Sequence, residues 1–236
     1  MTAEAKLAPL SEVLWAICAV DAPLAAKLAA YSDALRERNS PFVDAYDRIV
    51  MRLRSGEAGA TAPKVGEAMP PFMLPDGDGR MVGLDDLVGE GPLVVSFNRG
   101  HWCPFCKIEL SSLAGAAQEL AKLDAKVVSI MPDRQSFVGP LAGELRGKVS
   151  FLSDIDNAYA LSLGLAMWVG EPVRALMSGI GWRLDAFQGN DAWLLPLPAT
   201  FVVGSDGVIL ARFVDANFRE RMEIADILEA LRSFRR

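Results

Sequence analysis

Cysteine and histidine are scarce in this chain. Its 236 residues include three cysteines, Cys18, Cys103 and Cys106, and one histidine, His101. A secreted fold stapled by disulfides carries more cysteine than this. A structural zinc site needs about four Cys or His ligands. Here His101 is too close along the chain to Cys103, and Cys18 falls in a distant helix, so no bound metal and no cofactor are expected. Long apolar runs are missing too: none approaches the ~20 residues that span a bilayer. Met1–Lys6 lacks the basic-then-apolar pattern of an export signal, which makes the cytoplasm the expected location. No run of lysine or arginine offsets the net charge of −6. That balance argues against nucleic acid and against an anionic membrane as partners. Internal repeats and low-complexity tracts are also lacking.

What is present is a soluble-type composition, 51% hydrophobic and 23% charged, enough for a sizeable core. Residues 1–55 read as helical. Leu10, Leu14, Ile17 and Cys18 share one face at helical spacing, and Ser40-Pro41 starts a helix from Phe42 to Arg54 that ends at Gly56. The run from Gly56 to Pro63 reads as a linker. From Val65 onward strands and helices alternate. Phe72–Leu74 and Arg80–Val82 flank an Asp-Gly turn as a small hairpin. Leu93–Asn98, Lys126–Met131 and Val149–Leu152 read as strands, and Cys103–Leu123, Phe137–Leu145 (interrupted by Pro140) and Asp156–Leu163 as helices. Thr200–Val203 and Val208–Phe213 form an antiparallel hairpin, closed by a helix over Glu223–Phe234. Alternation followed by a terminal hairpin and helix predicts an α/β sandwich with a mixed central sheet. We expect an N-terminal helical extension with linker over 1–62 and one α/β domain over 63–236. An insertion at about 160–197 within it carries Trp168, Trp182 and Trp193.

Chemistry concentrates in Trp102-Cys103-Pro104-Phe105-Cys106. The segment follows a buried strand and opens a helix, where unpaired amides and the positive helix end favour a thiolate. Only the thiolate attacks disulfides or peroxides. Pro104 has no amide hydrogen and suits the first helical turn. Arg99 and Lys107 add positive charge that lowers a thiol pKa. His101 is read either as an aid to proton movement or as a solvated loop side chain, and Cys18 as a buried, inert small hydrophobe. Trp102 is expected to shield the sulfurs.

The run Val65-Gly66-Glu67-Ala68-Met69-Pro70, the strand leading to Cys103-Pro104-Phe105-Cys106, and Leu197-Pro198-Ala199-Thr200-Phe201-Val202-Val203 with Asp206-Gly207 resemble the peroxiredoxin (AhpC/TSA) branch of the thioredoxin superfamily. The resemblance runs from about Val65 to the carboxyl end. Arg99-Gly100 before Trp102-Cys103, with Trp193 and Pro196 downstream, is similar to a peroxiredoxin-like subgroup with a thioredoxin-type pair. Aligned on Glu109, Cys106 takes the peroxidatic position and Cys103 stands where such proteins have Thr. Pro198 stands where they have a peroxide-polarising Arg, and looks like the cis-proline of thioredoxins.

The resemblance implies a thioredoxin-like α/β/α sandwich. It also implies a thiol-dependent redox enzyme cycling Cys103 and Cys106 between dithiol and disulfide. Hydroperoxides or protein disulfides would be its substrates, and a thioredoxin- or glutathione-type thiol its reductant. Cys103 attacks first by the thioredoxin analogy and Cys106 by the peroxiredoxin one; the sequence leaves both open. The supporting residues implied are Arg99, Trp102, Pro104, Glu109 and Pro198. A homodimer through the extension or the insertion, and a redox-inert interaction module keeping the fold, are the remaining readings.

Overall fold

The computed structural model describes residues 8–234; Met1–Lys6, read above for an export signal, lies outside that range. Three N-terminal helices come first: α1 (Leu10–Ala19), α2 (Leu24–Glu37) and α3 (Phe42–Ser55). A hairpin of β1 (Met73–Pro75) and β2 (Met81–Gly83) follows, then α4 (Leu84–Val88). The central elements are β3 (Leu93–Phe97), α5 (Pro104–Gly115), α6 (Ala117–Ala121), β4 (Lys126–Met131), α7 (Gln135–Glu144), β5 (Ser150–Ser153) and α8 (Ala158–Ser162). Residues of the expected insertion build β6 (Ala166–Trp168), α9 (Glu171–Gly179), α10 (Leu184–Gln188) and β7 (Leu194–Pro196). The chain closes with β8 (Ala199–Val203), β9 (Ile209–Val214) and α11 (Ile224–Phe234).

The main sheet has the order β5-β4-β3-β8-β9, with β3, β4 and β5 parallel and β8 and β9 antiparallel. This is the expected α/β/α sandwich with a mixed sheet. β3 is buried along its whole length, as a central strand covered on both faces should be. Its period-2 alternation divides the core. Val95 and Phe97 join the cluster that includes Phe105, Tyr31, Tyr46 and Phe218, while Val94 joins Leu110, Leu113, Val202 and Ile227 on the other side. The first face is covered by α1–α3, the β1–β2 hairpin and the 160–197 segment.

Some local expectations needed correction. The helix read as Cys103–Leu123 is two helices, broken at Ala116 (ψ 3°) just after Gly115, where glycine lowers the cost of leaving the helix. The α7 helix runs through Pro140. Gly56–Pro63 is packed rather than loose. Gly59, at φ +84°, lies so close to Val214 that a Cβ there would sit 2.5 Å from it, and Arg212 Nη1 donates to the carbonyls of Ala62 and Pro63 at 2.6 and 2.7 Å. Pro198 is not cis, since no peptide among the described residues is.

Candidate active site

The site forms where β3 ends and α5 begins. Cys103 is the N-cap residue of α5, with Pro104 in its first turn, so its sulfur sits at the positive end of a 12-residue helix. The connecting turn requires Gly100. Its φ is +146°, and a Cβ there would fall 2.4 Å from Trp102 Nε1 and 2.9 Å from both Asp133 carboxylate oxygens. Asp133, two residues after β4, accepts from the His101 amide at 2.7 Å and contacts its Nδ1 at 2.6 Å. His101 is thus pinned to a carboxylate and stacked on Phe137, which corrects the solvated-side-chain reading. Lys107 turns away to lie over Trp15.

Both sulfurs are free thiols and both are fully buried. Arg99 Nη2 donates to Cys103 Sγ at 3.0 Å, and the Arg99 amide to Cys106 Sγ at 3.4 Å. The Arg99 guanidinium is itself buried, 4.0 Å from the centre of the Phe218 ring and 5.7 Å from those of Tyr46 and Trp102. A caged cation of this kind is strengthened by the low local dielectric.

The two cysteines are driven apart in acidity. Burial pushes the Cys103 thiol up, but the hydrogen bond from Cys106 and the Arg99 charge, helped by Arg221, outweigh it and hold Cys103 at about 5. Cys106 goes the other way, raised by burial and then by its role as donor to the Cys103 thiolate and that thiolate's charge. Burial and the surrounding charges thus favour the negative charge on Cys103 and the proton on Cys106.

Beneath the sulfurs lies a polar floor set by strand register. Ser96 pairs with Ser129 on one side and Thr200 on the other, placing three hydroxyls in a row across the sheet. Glu109, on α5, accepts from Ser96 Oγ at 3.0 Å and Thr200 Oγ1 at 3.1 Å. Its other oxygen takes Arg221 Nε at 2.8 Å, both groups being almost wholly buried. Arg221 also donates to the Phe218 and Glu220 carbonyls and reaches Cys106 Sγ at 3.8 Å. A buried carboxylate with this many donors, one of them cationic, is a satisfied group rather than a strained one.

Above the sulfurs is an aromatic roof. Tyr31 from α2 meets Phe105 edge-on at 5.4 Å, and Tyr46 from α3 meets Phe218 at 5.1 Å. Trp102 packs on Trp182 at 4.9 Å. Burial and the neighbouring Cys103 charge raise the Tyr31 hydroxyl to about 12, which keeps it a neutral phenol. Cys18 lies outside this assembly, on α1 facing Ser111 of α5, where burial raises its thiol against a hydrogen bond from Ser111.

The structure thus brings Arg99, Trp102, Cys103, Pro104, Cys106 and Glu109 together, and leaves Lys107 and Cys18 apart. Pro198 immediately precedes Ala199, the partner of Phe97 across the sheet. Sequence reasoning missed Arg221, Tyr31, Tyr46, Phe218 and Trp182. Arg221 lies in a segment without regular structure and carries no local motif, and a single sequence gives no signal that an arginine is buried.

A mixed sheet carrying a Cys-x-x-Cys at the strand-to-helix turn of its central strand defines a protein of the thioredoxin-fold class. More narrowly, the chain belongs to the AhpC/TSA family, whose profile it matches over residues 65–212. It is similar to Peroxiredoxin Bcp of Escherichia coli K12, 29% identical over 102 residues, or 43% of this chain and 65% of that protein. It thus spans just under two thirds of that relative's length. It is also similar to the thiol-disulfide oxidoreductase ResA of Bacillus thuringiensis, 20% identical over 185 residues, covering 74% of this chain and 90% of that protein. Among solved structures, Peroxidoxin BcpB from Mycobacterium tuberculosis superimposes with a TM-score of 0.57 at 24% identity, over 73% of this chain and 99% of that one; this shows the shared fold. Among the described residues no helix is long and apolar enough to cross a membrane.

Proposed function

We propose that this chain is a thiol-dependent oxidoreductase of the peroxiredoxin-like kind, in the subgroup whose Cys-x-x-Cys replaces Thr-x-x-Cys, and that Cys103 is its attacking sulfur. One observation carries the reading: Arg99 Nη2 lies 3.0 Å from Cys103 Sγ at a helix N-terminus, which favours Cys103 over Cys106 as the thiolate. The names of the relatives, a peroxiredoxin and a thiol-disulfide oxidoreductase, support redox chemistry of this class. Arg99 also supplies, from the loop after β3, the guanidinium absent at position 198.

With a hydroperoxide, the Cys103 thiolate attacks the distal oxygen, the O–O bond breaks, and the alkoxide or hydroxide leaves and takes a proton. Cys103 becomes a sulfenic acid. Cys106 then attacks that sulfur, water leaves with the Cys106 proton, and a Cys103–Cys106 disulfide remains. Two donor thiols, of thioredoxin or glutathione type by family analogy, return two electrons. With a protein disulfide as substrate, Cys103 attacks sulfur instead and Cys106 resolves the mixed disulfide. Reaction of the reduced protein with one equivalent of hydrogen peroxide tests the first scheme. The expected result is joint loss of two thiols, faster than for free cysteine. A rate no faster than free cysteine removes the peroxidase, and insulin reduction then tests the disulfide scheme.

The rival reading, a redox-inert interaction module, is disfavoured by the acidity split between two adjacent sulfurs, for which a packing role has no use. A cytoplasmic location, the division of the chain at residues 62/63 and a homodimer belong to the same proposal. A strictly monomeric mass in solution removes the dimer.

A further inference from the structure

Two buried arginines flank the sulfurs, and they differ in what balances them. Arg221 faces Glu109 at 2.8 Å, a carboxylate that redox chemistry does not touch. Arg99 has no such partner. It is 3% exposed, and none of the ion pairs among the described residues includes it. Its Nε meets no acceptor, while Nη2 donates to Cys103 Sγ at 3.0 Å. Burial alone would lower the Arg99 pKa, yet Cys103, then Tyr46 and Cys106, hold it above its ordinary value. Tyr46 is kept a neutral phenol, above all by its own burial. Of the groups acting on Arg99, only the sulfurs can therefore carry the opposing charge, and Cys103 leads them.

The cage keeps this cation in place. The Phe218 ring lies 4.0 Å from the guanidinium, and the residues after Phe218 are fastened to two of the helices above. Arg219 Nη1 bonds Asp47 on α3 at 2.7 Å. Glu223 accepts from the Leu24 and Ala25 amides at the start of α2, at 3.0 and 2.7 Å.

Arg99 cannot shed its proton either, because a guanidinium stays charged in proteins. Joining Cys103 to Cys106 removes the negative charge and leaves the cation behind. A buried charge that has lost its partner is costly, and the N-terminus of α5 loses its anion at the same moment. A disulfide closing so short a loop gives little in return. The reduced form is thus the favoured one, and a disulfide whose reduced form is stabilised is a strong oxidant.

We propose that the Cys103–Cys106 disulfide is a strong oxidant because it leaves Arg99 buried without a counter-charge, and that it draws its electrons from dithiols too weakly reducing to discharge a thioredoxin-type disulfide. Thioredoxin itself can serve, but a weaker dithiol suffices and ends as a disulfide. This rests on the redox reading above and specifies its second half. A donor thiolate attacks one sulfur of the pair, the Cys103–Cys106 bond breaks, and a donor–protein disulfide forms. The donor's second thiolate attacks the donor sulfur of that bond, releasing the protein sulfur and closing the donor disulfide. Two electrons pass to the pair. One donor proton stays on Cys106, the other goes to solvent, and Cys103 returns as the thiolate beside Arg99.

The test uses the full chain, oxidised with one equivalent of hydrogen peroxide and equilibrated with mixtures of reduced and oxidised glutathione. Thiol counting is expected to show a disulfide at least a hundredfold more oxidising than that of thioredoxin treated alongside, or about 60 mV at roughly 30 mV per tenfold. A smaller gap overturns the proposal. Arg99→Met is expected to lose at least tenfold of it and Arg99→Lys to retain most; an equilibrium unmoved by Arg99→Met also overturns it. Should Arg99→Met fail to fold, urea unfolding of the wild type decides. The reduced chain is expected to be the more stable form, and an oxidised chain of equal or greater stability contradicts the proposal. If peroxide forms no Cys103–Cys106 disulfide at the outset, the redox reading itself fails and takes the proposal with it. A disulfide that forms but matches thioredoxin sinks the proposal alone.

Discussion

The floor and the roof of the dithiol are built on opposite principles. Below, Glu109 is satisfied by Ser96, Thr200 and Arg221, each at 2.8–3.1 Å, and every member needs the others because a buried charge without its partner is costly. Above, Tyr31, Tyr46, Phe218, Trp102 and Trp182 meet mostly edge-on or tilted, and no single contact is indispensable. The floor fixes where the sulfurs are and how acidic they are. The roof decides what meets them. Perturbing one should therefore change stability and acidity, and perturbing the other should change access.

The largest expected effect is on the floor. Arg221→Met leaves Glu109 buried without its cation and should cost about 3–5 kcal/mol in urea unfolding. Adding Glu109→Gln should recover part of that loss, because a neutral amide can be held by the two hydroxyls; a double variant no better than the single would break the account of the floor. Next comes Arg99→Met, which removes the cation on Cys103. Cys103 should move from about 5 toward the ordinary thiol range, and alkylation by iodoacetamide at roughly pH 6.5 should slow about tenfold or more. An unchanged pH profile would mean that the Cys106 hydrogen bond, Arg221 and the helix terminus set the acidity without Arg99.

Trp182→Ala addresses the roof. Trp182 is half-buried, so the cost should be about 1–3 kcal/mol, below the usual penalty for a buried Trp. Alkylation of Cys103 should nonetheless speed up, with its pH midpoint unmoved. If the midpoint moves as well, the division between floor and roof is wrong. A further effect is expected from pH. The folded Cys103 pKa is depressed below its unfolded value, so its stabilising contribution is complete above the unfolded pKa and is lost as pH falls toward about 5. The melting temperature of the reduced protein, relative to Cys103→Ser, should thus rise between those limits. The smallest is Glu223→Gln, which weakens the carboxylate cap on α2 by about 0.5–1 kcal/mol and should show first as faster amide exchange near Leu24.

The same contrast marks what the sequence reveals. The fold was legible because its strands are short apolar runs and its turns carry Asp-Gly and Gly; the hairpin at Ser205–Gly207 and the strand before Cys103 are local signals. Cys103, Cys106, Arg99, Trp102 and Glu109 were legible for the same reason, lying within a few residues of one motif. The roof was not. Tyr31 and Tyr46 look like ordinary apolar-face residues of amphipathic helices, and their role depends on the packing of α2 and α3 over α5, which no local pattern encodes. Arg221 was invisible because its partner, Glu109, is 112 residues away. Pro198 was misread as cis because that reading rested on the resemblance to thioredoxins alone, and no local pattern encodes the isomer of a proline.

The most direct test is a titration of the thiolate ultraviolet absorbance of the reduced protein, with Cys103→Ser and Cys106→Ser alongside. One thiolate is predicted to form near 5 in the wild type and to vanish in Cys103→Ser, with Cys106 protonated well past the ordinary thiol range. Ionisation of Cys106 first, or of neither sulfur until the ordinary thiol range, would contradict the account.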